Sequence, residues 1–481
     1  MASRQADTVE LQQLPAPTPI SEPVGEGSDT RADSQDLISP PDTAVAAVEK
    51  WNSSTTNVLR ICATYWAFLV MGANDAAYGA IIPYLEEYYH LNYTVVSLVF
   101  FSPLGGYAAA ALLNNWIHNH FGQRGVAFLG PFCHLAAYTG IACHPPYPAL
   151  IVFFLLAGFA NGIEDAAWNA WIGKLANPNE LLGFLHGLYG VGAVLSPLIA
   201  TSLITKAGWG WWGFYYLMIG AAAIELATSV ASFWGATSAY WRSSGASADS
   251  GGLLKEALKS RVSWVASLFL LGYVGVEVAL GGWIVVFMTR QRNGGDFESG
   301  MVATGFWIGI TIGRVLLGFV TPRLGERLAV SIYVTAAIGF QLLFWLVPQF
   351  IASAVAVALE GFFLGPLFPA IVVAATKVLP SHLHVSVIGF AAAFGGSGAA
   401  IFPFAVGVLA QAKGVQVLQP VIVALLAAIL SIWALMPRPK KKTDAEAAEQ
   451  GTASGIEAWR KNMSSYMTRS RAACSRVLKV R

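Results

Sequence analysis

Twelve stretches of about 20 mostly apolar residues, each long enough to cross a bilayer core of about 30 Å as a helix, follow one another between Leu59 and Met436. They begin near Leu59, Thr94, Arg124, Ala149, Phe184, Trp212, Ser263, Gly300, Leu328, Ile351, Val385 and Val417. In hydrocarbon every backbone N–H and C=O must be satisfied internally, which continuous runs of this length achieve as α-helices. The pattern therefore predicts an all-α polytopic membrane protein of 12 transmembrane helices. Composition agrees: 55% of residues are hydrophobic and 12% charged, against about 25% charged in a soluble domain. The formal net charge is only +2, and the basic residues are spread through loops and one tail, so no nucleic-acid surface is expected. Of four cysteines, Cys62, Cys133 and Cys143 lie in or beside apolar segments and Cys474 in a tail. Their spacing suits neither a metal site nor a disulfide framework.

A polar segment from Thr237 to Val262, rich in Ser, Gly and charge, divides the spans six and six. The expected organisation is a disordered tail over 1–57, a six-helix half over 58–236, a cytosolic linker loop over 237–262, a second half over 263–437 and a basic tail over 438–481. With the amino terminus inside, the inner inter-helix loops carry Arg124, Lys174, Arg242, Lys255, Lys259, Arg261, Arg323, Arg327 and Lys377. The outer loops carry only Lys206, Arg290, Arg292 and Lys413. The positive-inside rule places both termini in the cytosol. No basic-then-apolar leader opens the chain, so no cleaved signal peptide is expected. The basic tail from Ile456 to Arg481 is expected either to lie on the anionic inner leaflet or to be disordered.

The two halves repeat each other. His120-Phe121-Gly122-Gln123-Arg124 returns as Arg323-Leu324-Gly325-Glu326-Arg327, and Gly158-Phe159 with Gly162 returns as Gly361-Phe362 with Gly365. Asp75 and Gly79 match Glu277 and Gly281, while Gly190, Gly192 and Pro197 match Gly396, Gly398 and Pro403. A nearly constant offset over several helices signals internal duplication. Duplicated halves with a solute site between them near the midplane are a common architecture of secondary transporters.

The fourth span, Leu155 to Lys174, is apolar yet carries Asn161, Glu164, Asp165, Trp168 and Asn169. An ionisable group at membrane depth costs about 2.5–3.5 kcal/mol on insertion scales, so it normally lines a cavity, finds a partner or carries a proton. Helical spacing puts Asn161, Asp165, Trp168 and Asn169 on one face, with Glu164 about 100° round. That stripe reads as the wall of a solute pathway; the alternative is acids tucked into polar protein contacts. Asn74, Asp75 and Tyr78 make a short polar face on the first helix. Across the membrane core, Asp75, Glu164, Asp165, Glu225, Glu277 and Glu360 stand against Arg314 alone. They cannot all be ionised cheaply, so some hold a proton or a partner. Arg314 is expected to pair with Glu277 or Glu360 as a structural charge pair. Asp75 and the Glu164/Asp165 pair, in the half without a buried base, are the expected proton carriers.

The inner loops after the second and eighth spans end in Gly122-Gln123-Arg124 and Gly325-Glu326-Arg327. This resembles the major facilitator superfamily pattern G-x-x-x-D-R-x-G-R-K. Gly318, Arg323, Gly325 and Arg327 match the second copy, with Pro322 in place of the aspartate; the first copy has Asn115, Asn119 and His120 in place of Gly, Asp and Arg. On the fifth span, His186-Gly187-Leu188-Tyr189-Gly190-Val191-Gly192 followed by Ser196-Pro197 is similar to the fucose-permease-type branch of that superfamily and its fungal relatives. Asp165 with Asn169 and the Asn74-Asp75 pair fit the same branch. The resemblance implies two pseudo-symmetric six-helix halves, alternating access, and Gly122, Arg124, Arg323, Gly325 and Arg327 as inner-face gating loops. It further implies proton-coupled symport of a sugar-like solute, the expected partners being the solute, protons and the lipid bilayer. Efflux of a secondary metabolite is the alternative within the class. A non-transporting nutrient sensor is the alternative outside it, against which the short tails argue. A monomer in the plasma membrane is expected, with vacuolar or other endomembranes as alternatives. No enzyme activity, cofactor or metal is expected: His186 has no second ligand near it in sequence, and neither a nucleophile–base pair nor a metal-ligand cluster at membrane depth is legible. No Gly-rich phosphate loop is present either.

Overall fold

A computed structural model describes residues 49–243, 250–380 and 383–437. Most of both tails, with the expectations made for them, lies outside the described residues. Every regular element among the described residues is helical: α1 Thr55–Tyr89, α2 Tyr93–Val96, α3 Leu98–Ala142, α4 Tyr147–Ile172, α5 Pro178–Thr205, α6 Gly213–Phe233, α7 Ser238–Ser243 and α8 Ser250–Lys259. There follow α9 Arg261–Arg292, α10 Asp296–Leu324, α11 Glu326–Leu346, α12 Phe350–Leu364, α13 Leu367–Val378, α14 His384–Lys413 and α15 Leu418–Ala434.

Ten stretches of the described residues are long and apolar enough to cross a membrane. One of them, Tyr93–Ala142, runs for 50 residues and turns back at Gly122, whose φ of 71° and ψ of −167° break the helix; it supplies two crossings. Outside the ten, α1 is a 35-residue helix whose Asn74-Asp75 interrupts its apolar run. Together these make the twelve spans. α12 and α13 form one crossing, broken at Gly365-Pro366.

Boundaries shifted where capping chemistry was local. The first helix begins inside the segment expected to be tail, because the Ser54 side chain accepts the Asn57 N–H, satisfying one of the orphan donors of the first turn. Ser260 does the same for Val262, so α9 also starts earlier than expected. The linker expected to be a loop contains the short helices α7 and α8.

Within each half the duplicated glycines set helix spacing. A Cβ on Gly192 of α5 would sit 2.0 Å from the Leu69 carbonyl of α1, and a Cβ on its repeat partner Gly398 of α14 would sit 2.0 Å from the Leu271 carbonyl of α9. Backbones approach this closely only where a side chain is missing. The two halves then meet through α1 with α9, α5 with α10, and α3 with α14. Their contacts gather at the end holding the α1–α2 turn: Glu86 with Arg290 at 3.6 Å, the Tyr93 N–H donating to Gln411 at 2.9 Å, Phe100 against Trp283 and Phe101 against Phe404. Nearer the middle, a Cβ on Gly79 would lie 1.9 Å from the carbonyl of Gly281. The matched glycines of the sequence repeat thus touch each other across the two halves.

Candidate solute and proton pathway

Asp75 lies mid-helix on α1, half-buried. Its Oδ1 accepts from Asn74 Nδ2 and Asn161 Nδ2, both at 3.0 Å, and its Oδ2 accepts from the Tyr189 hydroxyl at 3.0 Å. Asn74 also donates to the Tyr78 hydroxyl at 2.8 Å. The polar faces of α1 and α4 therefore converge on one carboxylate, joined by α5. No lysine or arginine is among the described partners of Asp75. Tyr189, which the sequence presented only as part of a glycine motif, is a direct partner of that acid; nothing in the motif shows that its hydroxyl reaches α1.

A second group sits nearer the Gly173 end of α4. Asn169 Nδ2 donates to Asp165 Oδ1 at 2.8 Å, and Asn169 Oδ1 lies 3.2 Å from His186 Nε2 of α5. The His186 ring stands edge-on to Phe68 and is 6.4 Å, centroid to centroid, from Phe368 of the second half. Asp165, Asn169 and His186 are all half-buried. Trp168 does not share this face. Its indole is fully buried and stacks on Phe233 of α6 at 4.5 Å, so it belongs to the apolar core rather than to a pathway wall. The stripe on α4 is wide enough that its Trp168 and Glu164 edge turns into the bundle while its Asp165 and Asn169 edge does not.

Glu164 shows where that buried edge leads. It has no exposed surface and approaches His134 of α3 and Glu225 of α6, one ligand-type atom of each lying within 4.8 Å of the others. The absence of a metal-ligand-like cluster, expected from sequence spacing, is thereby corrected: one His and two Glu from three helices assemble only in the fold. His134 was missed altogether; a lone histidine inside the third span was its only signal.

In the second half Arg314 Nη2 lies 3.5 Å from Glu277 Oε1, and its Nε donates to the Gly365 carbonyl at 3.1 Å. Glu360, the other candidate partner, is not in this group. It faces Gln341 of α11, whose amide nitrogen, with the amide turned over, donates to it at 2.8 Å; α12 carries Glu360 toward α11 and not toward α10. The inner-loop arginines Arg124, Arg323 and Arg327 contact helix ends. The Arg124 guanidinium rests over the Trp234 ring at 5.2 Å while the Arg124 backbone N–H donates to the Ala236 carbonyl at 3.0 Å. Arg327 donates to the Met436 carbonyl at 3.0 Å. Each caps the last helix of its own half, and Arg323 donates to Phe319 of its own helix. With Gly122 and Gly325 making the turns, these contacts hold helix ends within each half.

The profile of the Major Facilitator Superfamily matches residues 64–348 and 280–470. The chain is 30% identical over 458 residues to "Bypass of stop codon protein 6" of Saccharomyces cerevisiae, covering 85% of this chain and 91% of that protein. It is 22% identical over 352 residues to the "Glucose/mannose transporter GlcP" of Bacillus subtilis, covering 71% and 86%. Among solved structures, a D-xylose-proton symporter superposes with a TM-score of 0.63 at 14% identity, covering 80% of this chain and 99% of that one. The Escherichia coli fucose:proton symporter FucP superposes with a TM-score of 0.54 at 14% identity, covering 79% and 98%. Extended match to the profile, near-full-length similarity to the yeast protein and a shared two-half fold place this chain in the major facilitator superfamily.

Proposed function

We propose that this multi-pass transporter moves a small polar organic solute of sugar-like character together with protons, by alternating access. One observation carries the reading: Asp75, an acid at membrane depth with no lysine or arginine partner among the described residues, is held by three hydrogen bonds from α1, α4 and α5 beside the junction of the halves. An acid so placed is normally a carrier of protons or cations. Asp165, with Asn169 and His186, adds a second polar group on the same side of α4. Similarity to a glucose/mannose transporter and to two sugar–proton symporters supports the solute class. We further place both termini in the cytosol, in the plasma membrane, with the monomer as the working unit.

Purified protein in liposomes with an imposed pH gradient tests this. A panel of labelled hexoses and pentoses should include one that accumulates uphill with proton movement. Asp75→Asn and Asp165→Asn should abolish accumulation and leave downhill exchange measurable. Solute leaving against its gradient as protons enter would reverse the direction and indicate efflux. Accumulation that ignores the pH gradient would remove proton coupling. For orientation, Ser247→Cys should label only from the cytosol and Glu87→Cys only from outside.

A further inference from the structure

Behind Asp75, away from the junction of the halves, the hydrogen bonding continues into the first bundle. Asn161 donates through Nδ2 to Asp75 Oδ1 at 3.0 Å and presents Oδ1 to His134 Nε2 at 2.8 Å. The other ring nitrogen, Nδ1, lies 3.1 and 3.3 Å from the two oxygens of Glu225. With its amide nitrogen committed to a carboxylate, Asn161 can only accept from His134, so Nε2 bears a hydrogen. Nδ1 then either donates to ionised Glu225 or accepts from its protonated form. In both cases one proton lies on the Nδ1–Glu225 contact.

Glu164 completes the cluster. Neither of its oxygens has a hydrogen-bond partner of good geometry, and both are sealed from solvent. Its carboxyl lies against α3 where that helix has no side chain: a Cβ on Gly130 would be 2.3 Å from Glu164 Oε1. His134, Glu164 and Glu225 are all fully buried. The titratable groups facing them are Asp75 from α1 and Cys133 and Tyr138 from α3, and those facing Asp75 in turn are Tyr78 from α1, Tyr107 from α3, Asp165 from α4, Tyr189 from α5 and Tyr215 from α6. None is a lysine or arginine. Two carboxylates and one imidazole in such a place are tolerable only with positive charge brought to them.

We propose that His134, Glu164 and Glu225 form a proton-binding site, apart from the groups that contact solute, which exchanges a proton with Asp75 across Asn161. The exchange balances. With His134 as imidazolium against ionised Glu225, loss of the proton breaks the Nε2–H bond, and gain of it forms an O–H bond at Asp75. Asp75 then donates to Asn161 Oδ1, the amide turns over, and Nδ2 donates to the bare Nε2. His134, Glu225, Asn161 and Asp75 each keep a partner in both states, and Asp75 can be emptied without the proton first entering bulk water. The proposal rests on the proton-coupled reading for its purpose, though not for its test.

Infrared difference spectra of the purified full chain in detergent, recorded over pH without any solute, read the protonated carboxyl groups directly. Asp75→Asn identifies the Asp75 band. In Glu225→Gln and in His134→Gln the midpoint of that band should move by about one pH unit or more, the effect of removing a neighbouring charge; Asn161→Leu should sever the dependence. An Asp75 band that titrates identically in wild type, Glu225→Gln and His134→Gln overturns the proposal. So does a stoichiometric divalent metal in the purified wild type, found by elemental analysis and lost in His134→Gln, which would make the cluster a cation site. Should Glu225→Gln fail to fold, Glu225→Asp keeps the carboxyl but withdraws it from Nδ1 by one methylene. It should still displace the Asp75 midpoint, and no displacement overturns the proposal. A negative liposome assay with a positive infrared titration would sink transport coupling while leaving the site.

Discussion

Arg314 tests how a single charge is held at membrane depth. Its guanidinium is 21% exposed and sits 3.5 Å from a Glu277 that is 10% exposed, so the pair is shielded but not sealed. Breaking one side of a buried pair typically costs about 3–5 kcal/mol, and removing both can be nearly neutral; partial exposure puts this pair at the lower end. Arg314→Leu should lower the melting temperature of the detergent-solubilised protein, and Glu277→Leu in the same chain should recover part of the loss. Glu360→Leu should recover none, because Glu360 faces Gln341. Equal rescue by both would mean the charge acts over a longer range than contact. The same residues show what sequence reasoning reaches. Asp165 with Asn169, four apart on one helix, meet as helical spacing requires. The meeting of His134, Glu164 and Glu225 depends on the rotation of three helices about their own axes, which no spacing along the chain encodes. Trp168 fails for a related reason: periodicity locates a stripe but not which edge of it turns into the bundle.

Helices and their repeat were the most legible part of the chain, because span length and the matched glycines answer to the bilayer and to backbone approach. The linker was the least. Its Ser- and Gly-rich composition argued for loop, yet Ser250–Lys259 is helical, and Ala257 of α8 is buried in a small cluster with Leu383 and Val387. The duplicated loops also differ in a way that only the fold exposes. Gly122 and Gly325 both adopt positive φ, 71° and 80°, where a side chain costs on the order of 1–3 kcal/mol. Around Gly325 nothing lies within 4 Å of an added Cβ, whereas at Gly122 the Thr237 carbonyl carbon would be 2.4 Å away. Thermal unfolding should therefore show Gly122→Ala to be clearly the more damaging. Equal losses would mean that α6 and the linker yield to the methyl group and that backbone conformation alone sets the cost.

The halves of the molecule are joined chiefly by surfaces that must part if access alternates, and Gly79 lies on that seam, inward of the α1–α2 end. The nearest atoms to a Cβ there are all in the other half, the Gly281 carbonyl at 1.9 Å and 2.9 Å and Gly282 Cα at 3.1 Å. A side chain at Gly79 should leave each bundle intact and hold the two apart. By contrast, Gly72 closes on the Tyr189 carbonyl inside its own half at 2.0 Å, so Gly72→Leu should damage folding itself. Ser97, fully buried and packed against Gly407 of α14, reports on the seam. In a Ser97→Cys background, Gly79→Leu should speed labelling by a membrane-impermeant maleimide several-fold, keep a near-normal melting temperature, and abolish uphill transport. Glu86→Gln should do little, since the Glu86–Arg290 pair at the rim is half-exposed on its arginine side and such pairs contribute about 0–1 kcal/mol. If Gly79→Leu labels no faster than its parent and still transports, closure at this end does not depend on the contact of the two matched glycines, and the halves must part along a different seam.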